Sequence, residues 1–152
     1  MTEETTDGPG LVPTGRHYAS PDITVWYDVR RCRHAAECVR GDPEVFDTSR
    51  KPWIRPDLAS AEVVADVVRR CPTGALHYQL ADGPDEPAES PTVLEFRPDG
   101  AIWVPGDLRL EVDGATIVER RAAICGCGRT GSRPFCDATC VRPPAKSTDP
   151  DA

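Results

Sequence analysis

Apolar and polar positions alternate in Ile23-Thr-Val-Trp-Tyr27, a β-branched and aromatic run that predicts a strand. The period then changes. Between residues 61 and 70, Val63, Val64, Val67 and Val68 recur at helical spacing and predict a helix with one apolar face, with Asp57 or Ser60 as N-cap candidates. Arg69 and Arg70 suit the negative end of its dipole. Pro72 stops it, and Thr73-Gly74 turns the chain into Ala75-Leu-His-Tyr78, a short strand able to pair with the first. Gly41-Asp-Pro43 reads as a turn, Val45 and Phe46 as core, and His77 as an exposed strand position. Further on, residues 92–97, 101–104, 107–112 and 115–119 are four short strand candidates. Pro98-Asp-Gly100, Pro105-Gly106 and Asp113-Gly114 separate them as turns, the spacing of an antiparallel meander.

Charge divides the chain in the same places. Residues 22–80 hold nine acids and nine bases, and residues 92–142 hold seven of each. The formal charge of −7 therefore lies in three segments: 1–21, with three acids against Arg16; 81–91, with four acids, three prolines and no base; and 143–152, with two acids against Lys146. These segments have too little apolar side chain to offset their ordering entropy. They are read as a flexible N-terminal tail (1–21), a linker (81–91) and a flexible C-terminal tail (143–152). The fold class expected is α+β: a small module at 22–80 joined by an acidic, Pro-rich linker to a β-rich module at 92–142. Each is of a size that buries only about 60% of its unfolded surface, where a metal staple is commonly needed. An acidic chain carries no nucleic-acid footprint, and no apolar run approaches the roughly 20 residues of a membrane span. The N-terminus lacks a basic region followed by an apolar stretch, so a cytoplasmic location is expected. In a reducing compartment, seven cysteines, an odd number, point to metal or redox chemistry rather than disulfides.

The cysteines divide three and four between the modules. The first set is Cys32 and Cys38, in Cys32-Arg-His-Ala-Ala-Glu-Cys38, and Cys71, followed by Pro72. A Cys-Pro closing a short cysteine run is a ferredoxin pattern, because soft thiolates suit an iron–sulfide core. With Pro43-Glu-Val-Phe46, Lys51-Pro-Trp-Ile54 and Cys71-Pro-Thr-Gly-Ala-Leu76, the module resembles the divergent 4Fe–4S mono-cluster family of ferredoxin-like domains. Ala35 stands where a standard run has its middle cysteine. Three thiolates naturally hold a 3Fe–4S cluster; a 4Fe–4S cluster needs an outside ligand, for which His34 is the nearest nitrogen donor. Zinc or free thiols are the remaining readings. Arg31, Arg33 and Arg40 are read as counter-charge to an anionic cluster or as a docking face for an acidic partner.

The second set is Cys125, Cys127, Cys136 and Cys140, at spacing C-x-C-x8-C-x3-C. Together with Thr130, Pro134 and Asp137 these residues resemble the CDGSH iron–sulfur domain, the NEET-type 2Fe–2S fold. Two positions depart from that pattern. Ala138 replaces its glycine, read as a mild change, and Cys140 replaces its histidine ligand. Histidine ligation raises cluster potentials by hundreds of millivolts relative to all-cysteine ligation, so a lower-potential, less acid-labile cluster is expected here. Arg129 and Arg133 are read as support for the loop and the cluster charge. Four thiolates in two close pairs also suit tetrahedral zinc.

The preferred reading is a one-electron carrier with two centres, working between a reductase and an acceptor such as an oxygenase, and without a catalytic site of its own. Dinucleotide fingerprint, P-loop and catalytic-triad patterns are all missing from the sequence. The alternatives are iron–sulfur storage, transfer or sensing, which the NEET resemblance implies, and a zinc-stapled interaction module.

Overall fold

The computed structural model of the protein describes residues 10–139 and 150–151. Strand β1 (Arg16–Ala19), β2 (Ile23–Tyr27) and β3 (Leu76–Leu80) form an antiparallel sheet in the order β1-β2-β3, with Ile23 opposite Leu80 and Tyr27 opposite Leu76. The pairing of β2 with β3 is the one the alternation predicts. β1 corrects the expected tail: residues 16–19 pair with β2, and Tyr18 is buried. Arg16-His-Tyr-Ala19 shows no apolar–polar alternation, so nothing local marks a strand in this Pro- and Gly-rich segment.

Two α-helices follow, α1 (Glu37–Gly41) and α2 (Ala61–Arg69); α2 packs on β3, and α1 packs on α2. Ser60 caps α2 by accepting from the Val63 amide, which settles the choice between the two candidate caps. Val64, Val67 and Val68 turn into the core, whereas Val63 is exposed, because four valines span more arc than the sheet covers. Tyr27, Phe46, Trp53, Ile54 and Leu76 complete the core.

The second sheet contains β4 (Glu95–Phe96), β5 (Ala101–Val112) and β6 (Ala115–Cys125) in that order, all antiparallel. Two predicted strands are therefore one. Pro105-Gly106 is not a turn but a register shift between Pro105 and Leu108, a bulge that bends β5 and lets it continue. Asp113 and Gly114 are the turn at the tip, with φ of 49° and 82°, as a two-residue hairpin of primed type requires. β6 also runs past residue 119, reaching Cys125. This sheet's own core is small: Ala101, Ala123 and Cys136, with Trp103 and Cys125 against them.

Residues 81–91 contain no helix or strand, yet Glu86 at their middle is buried between the sheets. The turn at Gly74 presses directly on β6: a Cβ there would stand 2.3 Å from the Arg121 carbonyl oxygen, and φ is +70°. No helix among the described residues is long and apolar enough to cross a membrane.

Candidate metal centres

Three short segments bring Cys32, Cys38 and Cys71 together. Asp28 caps a 3-10 turn at Val29–Arg31 by accepting from the Arg30 amide, and Cys32 follows directly. Left-handed conformations at His34 (φ 57°) and Ala36 (φ 62°) then curl the chain around the Cys32 sulfur, which accepts from the His34 amide at 3.4 Å. Cys38 lies on α1, and the Cys71 amide bonds the Val68 carbonyl beyond the last turn of α2. The three cysteines line one small cavity of about 30 Å³ with Tyr27, Trp53 and Leu76.

Burial raises the Cys32 thiol above its ordinary pKa and pushes Cys38 up to about 12, and in both cases the neighbouring Cys71 raises it further. Three thiolates in this space repel one another, so the set ionises only around a cationic core. Two donors on the cavity wall also lack partners: Arg33 Nε and Trp53 Nε1 are buried without a hydrogen bond. A buried N–H ordinarily has an acceptor, and the sulfurs of an anionic cluster would supply one. The residues present fit an iron–sulfur group. His34 Nδ1 lies 4.0 Å from Cys32 Sγ but outside the residues lining the cavity.

In the second set, Cys125 ends β6, and its sulfur lies 3.0 Å from that of Cys127. Cys127 Sγ accepts from the Arg129 amide at 3.3 Å. Desolvation pushes the Cys125 thiol up to about 12, with Cys127 and Cys136 beside it. Cys136 is buried and is held by its amide to the Ala123 carbonyl at 2.7 Å. The surrounding motif residues tie the loop. Thr130 Oγ1 donates to the Phe135 carbonyl (2.7 Å) and accepts from the Ser132 amide. Asp137 accepts from the amides of Gly131 and Thr139, both at 3.0 Å, and the Pro134 carbonyl accepts from the Cys125 amide. Ala138 sits at φ 64°, so the replacement of glycine is not mild; the left-handed region disfavours any Cβ. Cys140 lies outside the described residues. Among those described, no three His, Cys, Asp or Glu side chains form a sphere for a single metal ion.

A buried ionic network runs between the two thiol sets. Arg31 pairs with Glu119 and lies over the Phe135 ring, 4.2 Å from its centroid. Arg33 pairs with Asp99 at 2.5 Å. Arg121 donates from Nε to the Cys71 carbonyl and from Nη2 to the Leu76 carbonyl, each at 2.8 Å, and pairs with Glu86. Arg31 and Arg33, read from sequence as cluster counter-charge or a docking face, thus find their ionic partners on the second sheet. His77 is 3% exposed, not an exposed strand residue: its two ring nitrogens face Glu86 and Glu119. Burial would raise the Glu86 carboxyl, but the His77 hydrogen bond and the Arg121 charge outweigh it and hold Glu86 below the ordinary range. Glu86, Glu119 and Arg121 carry no sequence signal, because isolated charged residues in polar segments look like surface. Arg133 lines a cleft between the sheets with Arg30 and Arg31.

Comparison with known proteins places families on both halves. Residues 18–81 match the model described as a divergent 4Fe–4S mono-cluster, and residues 99–139 match that of the iron-binding zinc finger of CDGSH type. Uncharacterized protein YjdI of Escherichia coli strain K12 is 41% identical over 64 residues, covering 42% of this chain and 84% of the relative. The same figures hold for YjdI of Escherichia coli O157:H7. No solved structure matches the chain.

Proposed function

Because the chain belongs through its first module to the divergent 4Fe–4S mono-cluster family and carries an iron-binding CDGSH-type domain behind it, we propose that it is a two-centre, one-electron carrier. The observation that carries this reading is the contact of Arg31 with Phe135. Arg31 precedes Cys32 and Phe135 precedes Cys136, so one contact joins a residue beside each thiol set.

Cys32, Cys38 and Cys71 would hold a 4Fe–4S cluster, as the family description favours over a 3Fe–4S cluster, with a fourth ligand that is not cysteine. Cys125, Cys127, Cys136 and Cys140 would hold a 2Fe–2S cluster. Bound clusters supply reversible one-electron chemistry at both sites. The chain's own groups do the rest. Tyr27, Trp53 and Leu76 line the first set, Arg33 Nε and Trp53 Nε1 would be free to donate to sulfurs of a bound cluster, and Thr130 and Asp137 fix the loop of the second. The reductase and acceptor are separate proteins, an oxygenase being one acceptor of suitable chemistry, in a reducing cytoplasm where thiols stay free. Catalysis belongs to those partners.

Exposure of Cys127 favours a second reading, cluster transfer, since a ligand at the surface is reachable by an acceptor's thiols. Iron and sulfide analysis with EPR of as-isolated and dithionite-reduced protein tests the assignment. About six irons per chain and signals that appear on reduction are expected. A colourless, zinc-loaded protein overturns it. Mixing with an apo-ferredoxin separates the two readings, because a carrier keeps its iron.

A further inference from the structure

His77 holds neither set of thiols, yet it is a buried titratable group that lies between them. Its Nδ1 lies 2.9 Å from Glu86 Oε2 and its Nε2 lies 2.8 Å from Glu119 Oε2. The other oxygen of each carboxylate is taken by a guanidinium, Arg121 on Glu86 Oε1 and Arg31 on Glu119 Oε1. Arg121 Nη2 stands 3.4 Å from Nδ1, and Asp28 lies 4.0 Å behind Arg31.

The charges explain why this arrangement is poised. Two guanidinium cations already balance the two carboxylates around the ring. A neutral imidazole carries a single N–H, so only one of its carboxylate contacts is a hydrogen bond, and the other sets lone pair against lone pair. One more proton completes both bonds but leaves an uncompensated positive charge in a sealed site. Each state has a defect, an unmade bond or an excess charge, and low dielectric makes both expensive. Burial and the two arginines favour the neutral ring in the resting chain. Added negative charge nearby favours the protonated one.

The network touches the place where such charge would arrive. Arg121 Nε donates to the Cys71 carbonyl, and Arg31 directly precedes Cys32. On the reading that Cys32, Cys38 and Cys71 hold a redox cluster, we propose that Glu86, His77 and Glu119 form a proton-binding site coupled to electron arrival at that centre. One electron enters from an external one-electron donor and one proton enters from solvent. The only bond made is the second N–H of the His77 ring, and on reoxidation the electron passes to the acceptor and the proton returns to solvent. The protein then moves a hydrogen equivalent, and its driving force depends on pH.

The test is the midpoint potential of the first centre against pH, followed by visible absorption in the full-length protein, for wild type, His77→Gln and the control His17→Gln. In wild type and control the reduction equilibrium constant is expected to fall about tenfold per pH unit near neutrality, roughly 59 mV for a one-electron couple. The slope disappears in His77→Gln. Should that variant fail to fold, Glu86→Gln carries the test: it removes one carboxylate that supports the extra proton and shifts the sloping window to lower pH. A flat profile in wild-type protein that holds iron and bleaches on reduction overturns the proposal and leaves the cluster reading standing. A slope unchanged in either variant overturns it too. Protein isolated anaerobically without iron or sulfide overturns the cluster reading and this proposal together.

Discussion

Glu86 and Arg121 form a carboxylate–guanidinium pair closed off from water on both sides, the glutamate side chain 0% exposed and the arginine 5%. One partner comes from the segment between the modules and the other from β6, so the pair clamps spacer to sheet. Removing one member of a buried pair strands the other charge, which costs about 3–5 kcal/mol. Glu86→Ala is expected to lose about 3 kcal/mol in urea unfolding, and Glu86→Ala combined with Arg121→Met to recover part of it. If Glu86→Ala unfolds like wild type, the clamp contributes nothing.

Stability should rise with pH from acid to neutral. Burial depresses the His77 imidazolium below its ordinary 6.5, so the unfolded chain takes that proton first as pH falls through about 6.5. Glu86 is depressed as well, and from about 4.5 downward the unfolded chain again binds first. Both contributions are fully present above pH 6.5 and are lost on acidification, the first toward the folded pKa of His77 and the second toward that of Glu86. Thermal unfolding between pH 4 and 8 checks this. A midpoint that climbs as pH is lowered from 7 to 5 contradicts it.

Trp53 packs edge-on against Tyr27, with ring centroids 4.9 Å apart, while its Nε1 has no partner. Trp53→Phe keeps the packing and removes the N–H. Donors to cluster sulfur raise the potential, so the variant is expected to bind iron and reduce about tenfold less favourably, roughly 60 mV lower. Spectroelectrochemistry reads the change, and an unchanged potential refutes a role for this donor.

Ala138 occupies the left-handed region. Relief of that strain in Ala138→Gly, partly offset by the freer unfolded chain, should stabilise the second module by about 0.5–1 kcal/mol. Differential calorimetry detects a gain of this size.

Replacing Cys140 restores the histidine of the CDGSH pattern. Cys140→His should raise the potential of the second centre by about 100 mV or more and make it bleach faster in acid. A potential that stays put removes Cys140 from the ligand set.

The pairing of β2 with β3, the Ser60-capped helix and the Asp113-Gly114 hairpin were legible because each is set by a local period, cap or turn. The gathering of Cys32 and Cys38 with Cys71 was legible from cysteine spacing and resemblance together. β1, the joining of two strands through the Gly106 bulge and the burial of Val64 but not Val63 were not, since each depends on which neighbour covers the segment.

The sequence by itself determined that Cys32 stands near Cys38 and Cys125 near Cys127, because those spacings and the turns that present them are encoded within a few residues. Only the tertiary structure decided where the charges go. His77, Glu86, Glu119 and Arg121 look like surface in one dimension, since a lone buried charge is prohibitive. Each becomes tolerable inside only when residues far apart in the chain arrive to balance it, as Arg121 does for Glu86 from 35 positions away.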